Sequence, residues 1–199
     1  LLDGRGHGAG HSDAVAAHDH ELLLALAVEE HRVHGLGVLE SQLEHLADLD
    51  ALLTQLQPDE PVDLLGHSMG GCVASRYVSL NPASVEALVL SSPALNIGLR
   101  ADQQALLKLL LRWAPAFTIG NGLKVGKISH DPAVVQAYKQ DKLVHGRVCA
   151  RLVQFMAQAG PAVLEAAHDW RVPTLLLFAQ DDALVKPQGS RDFAQAAPQ

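Results

Sequence analysis

Cysteine is scarce in this chain: Cys72 and Cys149 are the two found among 199 residues. Their spacing matches neither metal-ligand pairs nor a disulfide framework, and a reducing compartment fits them best. Basic charge is short too. Lys and Arg total 15 against 22 Asp and Glu, a net charge of −7, which argues against nucleic acid as a partner. Charged residues make up 19% of the chain and hydrophobic ones 48%. That balance belongs to a chain that buries a core, not to a disordered one. Long apolar runs are absent. Leu22–Val28 is too short to cross a bilayer, and Ala105–Trp113 is broken by Lys108 and Arg112. Leu1-Leu2-Asp3 carries neither an initiator methionine nor a signal-peptide pattern. There are no internal repeats and no low-complexity tracts. The expected location is cytoplasmic, peripheral to a membrane at most, and the length suits about one domain.

What the chain does have is Val62-Asp63-Leu64-Leu65-Gly66-His67-Ser68-Met69-Gly70-Gly71. Val62 to Leu65 reads as a buried strand, and Cys72 to Val78 as a helix. Gly-x-Ser-x-Gly between a strand and a helix is the context of a nucleophile elbow. The turn must be sharp enough to strain Ser68 and lift its Oγ above the sheet. Glycine at 66 and 70, and again at 71, removes the Cβ atoms that would collide there. The helix N-terminus and the free N–H of Met69 then point at any oxyanion that forms on a substrate. The plainer alternative is a glycine-rich turn in which Ser68 only caps the helix.

The rest of the chain supports an α/β architecture. Leu43, Leu46, Leu49, Leu52, Leu53 and Leu56 recur at helical spacing, with Ser41 and Glu44 as a capping box, and Pro58 and Pro61 close that helix. Val85–Leu90 reads as a second buried strand, parallel to the first through a right-handed crossover. From Ser91 to about Trp170 the character is helical: Gln103–Trp113, Pro132–Lys139 and Gly146–Ala159, with a glycine turn at Gly120-Asn121-Gly122. Leu106, Leu107, Leu109, Leu110, Leu111, Trp113 and Phe117 make a greasy segment, either packed on the main domain or facing an acyl pocket as a lid. Val172–Ala179 is a third buried strand, and a helix begins near Pro187. Ala14–Glu40 holds no single period.

Arg5-Gly6-His7-Gly8, Gly66-His67-Ser68-Met69-Gly70-Gly71 and Leu90-Ser91-Ser92-Pro93-Ala94-Leu95 together resemble the α/β-hydrolase superfamily. More narrowly they are similar to bacterial monoacylglycerol lipases and lysophospholipases. Ser129-His130-Asp131-Pro132, Asp141-Lys142-Leu143-Val144-His145 and Pro173-Thr174-Leu175-Leu176-Leu177 extend the likeness, and Ala14–Glu40 shows none. The resemblance implies an α/β-hydrolase fold, a mostly parallel sheet flanked by helices, with a helical lid. The core would be 1–91 with 171–199 and the lid 92–170. It implies Ser68 as nucleophile and Asp182 as the acid that orients a histidine, with Asp181 as rival. Lys186 stands where relatives often carry a second Asp. The Met69 N–H is one oxyanion donor, and Gly66, His67 and Gly70 build the elbow.

In that fold the histidine follows the acid by one further strand, but no histidine follows Asp182 here. His168 precedes the acid strand, and His67 leaves the elbow in another direction. The second oxyanion donor belongs upstream of Leu1. The expectation is therefore a fragment incomplete at both termini, with an open apolar edge beside the elbow strand. The implied substrate is a small lipid ester, with transient contact to a lipid surface and no cofactor. A serine peptidase or a non-catalytic binding protein of the same fold is the alternative. A more distant one is a zinc or nickel site. His7 with His11, and His31 with His34, would each share a helix face, but no His-Glu-x-x-His is present and Gly4, Gly6, Gly8 and Gly10 argue for loop. No metal is expected.

Overall fold

The computed structural model describes residues 23–25, 40–56 and 60–198. In chain order the first elements are β1 (Leu23–Ala25), α1 (Glu40–Leu56), β2 (Val62–His67), α2 (Ser68–Leu80) and β3 (Val85–Ser91). After them come α3 (Ala101–Trp113), β4 (Thr118–Gly120), α4 (Pro132–Gln140), β5 (Arg147–Cys149), α5 (Ala150–Ala166), β6 (Thr174–Leu177) and α6 (Pro187–Ala196). Four strands form a parallel sheet in the order β1-β2-β3-β6, while β4 and β5 pair as a separate antiparallel ribbon. The apolar runs at 62–65 and 85–90 are the central pair, as a strand–helix–strand crossover requires.

Register divides the sheet into two unlike faces. Leu64 pairs with Leu88, which pairs with Thr174, and Gly66 pairs with Leu90, which pairs with Leu176. Leu64, Leu88 and Leu90 on this face are almost fully buried among α1, α2 and α5, in one cluster with Tyr77, Val78 and Phe155. Each such side chain stabilises by about 1.5–3 kcal/mol relative to exposure. The opposite face carries Leu65, Val89, Leu175 and Leu177, of which Leu175 and Leu177 are more than half exposed. Among the described residues, the buried cluster that joins helices to the sheet lies on the first face alone.

Several boundaries differ from the sequence expectation. The elbow strand is not open on its far side, because β1 pairs with it through Leu23↔Leu64, Leu24↔Leu65 and Ala25↔Gly66. Three apolar residues of a stretch without period supply that partner. α1 starts at Glu40, which puts Ser41 inside the first turn. Leu46, Leu49 and Leu53 are its buried stripe, whereas Leu52 and Leu56 are exposed. The region around Gly120 is the end of β4, not simply a turn. α5 begins only at Ala150 and runs on through Gly160 and Pro161. Proline normally ends a helix by removing one hydrogen bond. Here packing on both sides of it, with Phe155 and Ala159 in one cluster and Val163 in the other, holds the helix together. Leu1–Gly8 lies outside the described residues.

Candidate active site

Ser68 is the first residue of α2 and follows β2 without an intervening loop. Its φ is +51°, in the left-handed region that a non-glycine residue rarely adopts, a conformation that costs about 1–3 kcal/mol and persists only where neighbours enforce it. The enforcing contacts are visible. A Cβ on Gly66 would stand 2.7 Å from both the Gly70 carbonyl oxygen and the Gly71 Cα, and one on Gly71 would meet Pro93 at 2.8 Å. The Ala94 N–H donates to the Ser68 carbonyl over 2.8 Å, so the strand-end loop after β3 holds the elbow from the outside. Gly66 and Gly71 thus stand where two stretches of backbone approach too closely for a side chain.

The carboxyl ends of three strands meet here. His67, Ser91 and Leu177 form one register row across β2, β3 and β6, and open α/β sheets bind ligands beyond that edge. His67 Nδ1 lies 3.1 Å from Ser91 Oγ, tying the β2 end to the β3 end beside the nucleophile position. Ser92 next to it has φ +43° and donates its N–H to the Leu177 carbonyl at 2.7 Å. Neither the Ser92 conformation nor the Ala94 clasp was read from the sequence. The only local signal is the small-residue run Ser91-Ser92-Pro93-Ala94.

Ser68 is half-buried, and Met69 with it. The Met69 N–H sits in the first turn of α2, where no intrahelical acceptor exists, so it is available at the elbow. Asp182 lies in the loop after β6 and is half-buried, and its Oδ1 accepts the N–H groups of Leu184 at 2.8 Å and Val185 at 2.9 Å. Two such bonds fix the carboxylate in one orientation. Asp181 beside it is exposed. Among the described residues, no histidine hydrogen-bonds Asp182 or Ser68. His168 is exposed, 3.1 Å from Asp169, and His45 meets Phe155 edge-on at 5.3 Å.

Cys72, four residues beyond Ser68, is fully buried, and burial pushes its thiol up to about 12, with Arg76 pulling weakly the other way. A thiol so placed is a core group, not a second nucleophile. His7, His11, His31 and His34 lie outside the described residues. Among the described residues no three His, Cys, Asp or Glu side chains converge to hold a metal ion, and no helix is long and apolar enough to cross a membrane.

Residues 1–199 match the Hydrolase_4 family, described as serine aminopeptidase S33. The chain belongs to that family. Its relatives include the monoacylglycerol lipase of Mycolicibacterium smegmatis, 33% identical over 85% of this chain and 64% of that protein. The phospholipase YtpA of Bacillus subtilis is 31% identical over 75% of this chain and 60% of its own length. Among solved structures, the Paleococcus ferrophilus monoacylglycerol lipase superposes with a TM-score of 0.73 at 30% identity, covering 78% of this chain and 61% of that one. The chain thus spans under two thirds of each of these relatives. Membership and these likenesses make it an α/β-hydrolase resembling monoacylglycerol lipase.

Proposed function

We propose that this chain is the nucleophile-bearing part of a serine hydrolase that cleaves the acyl ester of a monoacylglycerol or lysophospholipid. The observation that carries the reading is the left-handed Ser68 at the β2–α2 junction, clasped by Ala94 and crowded by Gly66 and Gly71. Ser68 Oγ attacks the ester carbonyl while a histidine takes its proton. The Met69 N–H stabilises the oxyanion, and that histidine returns the proton to the departing glycerol oxygen. Water then cleaves the acyl-enzyme by the same route. Asp182, held by Leu184 and Val185, orients that histidine. Residues 1–91 and 171–199 form the core in this reading, and 92–170 the lid, with α5 anchoring it.

The test is labelling with a fluorophosphonate serine probe, on this chain and on the natural-length protein that contains it. Labelling of the longer protein that disappears with Ser68→Ala is the expected result. A folded longer protein that stays unlabelled would sink the reading and leave a non-catalytic binding protein. The family description favours one rival, a serine peptidase. Faster turnover of a peptide anilide than of an acylglycerol would select that rival.

A further inference from the structure

Three contacts reach the elbow from one short segment, the end of β3 and the loop after it. The Ala94 N–H donates to the Ser68 carbonyl over 2.8 Å. Pro93 lies so close to α2 that a Cβ on Gly71 would stand 2.8 Å from the Pro93 Cβ. Ser91, the last residue of β3, pairs in register with His67, the last residue of β2. Its Oγ lies 3.1 Å from His67 Nδ1.

The last of these is a side-chain bond, and its place in the chain gives it leverage. Ser68 has a φ of +51°, and that torsion turns about the bond next to the His67 peptide. Holding His67 fixes the peptide that enters Ser68, while Ala94 fixes the carbonyl that leaves it. Both sides of the strained residue are thus tied to Ser91–Ala94. That segment is itself held, because Ser92 donates its N–H to the Leu177 carbonyl of β6 at 2.7 Å. Among the described residues, Ser68 and Ser92 are the two non-glycine residues with positive φ. A left-handed serine therefore follows each member of the His67–Ser91 pair. Such torsions persist only where neighbours enforce them. His67 is exposed, so water could satisfy its ring and burial does not require the bond.

Resting on the ester-hydrolase reading above, we propose that His67 is a positioning residue: through Ser91 it holds the Ser68 backbone in its left-handed conformation and so keeps Oγ aimed at the ester carbonyl. In this role His67 takes no proton and touches no substrate. Without the bond the His67 peptide can rotate, and Ser68 relaxes toward an ordinary torsion that swings Oγ aside. A misplacement of about 1 Å at a reacting atom costs about a hundredfold in rate. The contacts of Ala94 and Pro93 remain and limit the movement, so the expected loss is about tenfold. It falls on kcat, because the bond aims the nucleophile and leaves the groups that hold substrate in place.

The experiment measures kcat and KM for a short-chain nitrophenyl ester on the natural-length protein, with Tm recorded for each variant. His67→Ala and Ser91→Ala each lower kcat about tenfold and leave KM near the parent value. The double substitution lowers kcat no further than either single one, because the two side chains act as one unit. His67→Asn recovers most of the loss, since its amide reaches the place of Nδ1. His67→Gln, whose amide reaches the place of Nε2, does not. Unchanged kcat in either single variant overturns the proposal. So do losses that multiply in the double variant, or equal recovery by Asn and Gln. A kcat that falls only in step with Tm assigns the pair to stability alone and overturns it as well. Fluorophosphonate labelling of the unsubstituted protein separates the two claims. An unlabelled parent overturns the hydrolase reading and this one with it, whereas a labelled parent whose variants keep their kcat overturns this one alone.

Discussion

Gly160 sits in the middle of α5, and replacing it with alanine is expected to destabilise the protein. Helix propensity points the other way, since alanine in a helix interior is worth about 1 kcal/mol over glycine. The surroundings decide the sign. A Cβ built on Gly160 would run into the Leu95 carbonyl oxygen, stand 2.8 Å from the Leu95 carbonyl carbon and lie 3.2 Å from its Cα. Those are backbone atoms of the strand-end loop that also clasps Ser68 through Ala94, so no side-chain rotation relieves the clash. Overpacking costs about 1–3 kcal/mol even where side chains can yield. With a rigid obstacle the upper figure applies, and subtracting the propensity gain leaves a net loss of about 2 kcal/mol. For a chain of this size that lowers Tm by about 4–8 °C. Urea unfolding followed by circular dichroism measures it, with Gly126→Ala as control because nothing lies within 4 Å of a Cβ there. A Gly160→Ala protein more stable than its parent would refute the packing argument and return the decision to propensity.

Other expectations follow from the same contacts. Asp182→Asn in the natural-length protein should lower kcat by about ten-thousandfold, as loss of an orienting carboxylate does. Asp181→Asn should leave it near the parent value, and the reverse pattern would reassign the acid. Tyr77→Phe removes a hydroxyl that donates to Asp50 Oδ1 at 2.7 Å and should cost about 1 kcal/mol. An unchanged Tm would show that water replaces that bond without loss. Burial raises the Cys72 thiol from 9.0 to about 12, and burial followed by the Asp50 hydrogen bond raises the Tyr77 phenol. The folded state thus keeps protons that the unfolded chain releases. Their contribution is complete below about 9 and is lost as pH climbs toward about 12. Urea midpoints measured across that interval should fall, and a flat or rising series would contradict it.

The elbow was legible in the sequence because its information is local: a strand of valine and leucine, glycines where two backbones touch, and a helix directly after. Val85–Ser91 and the β6 strand were legible for the same reason, as short apolar runs bounded by turn residues. What escaped depends on partners far along the chain. Leu23–Ala25 is a strand because Leu64 to Gly66 offers it a ladder, not because its own pattern alternates. β4 and β5 are three residues each and stabilise one another across the α4 excursion, too short for either to declare itself. Gly160-Pro161 reads as a helix end until packing on both flanks is seen. At the site, the motif offers Ser68 as a candidate nucleophile, and the family resemblance offers Asp182, with Asp181 as rival, as a candidate acid. The Ala94 clasp and the left-handed Ser92 are tertiary and leave no local trace.

The β4–β5 ribbon works as a neck. Thr118 pairs with Cys149 and Gly120 with Arg147, and the Asn121 N–H reaches the Gly146 carbonyl at 2.9 Å. The two ends of the α4 excursion are therefore tied together before it starts. No side chain between Asn121 and Gly146 is buried, so this loop holds nothing of the core. Closure entropy changes by only about 0.6 kcal/mol for each halving or doubling of a loop. The excursion is thus an interchangeable module. It can lengthen, shorten or be swapped for foreign sequence while the sheet and the elbow stay as they are, which leaves evolution and the protein engineer the same free parameter.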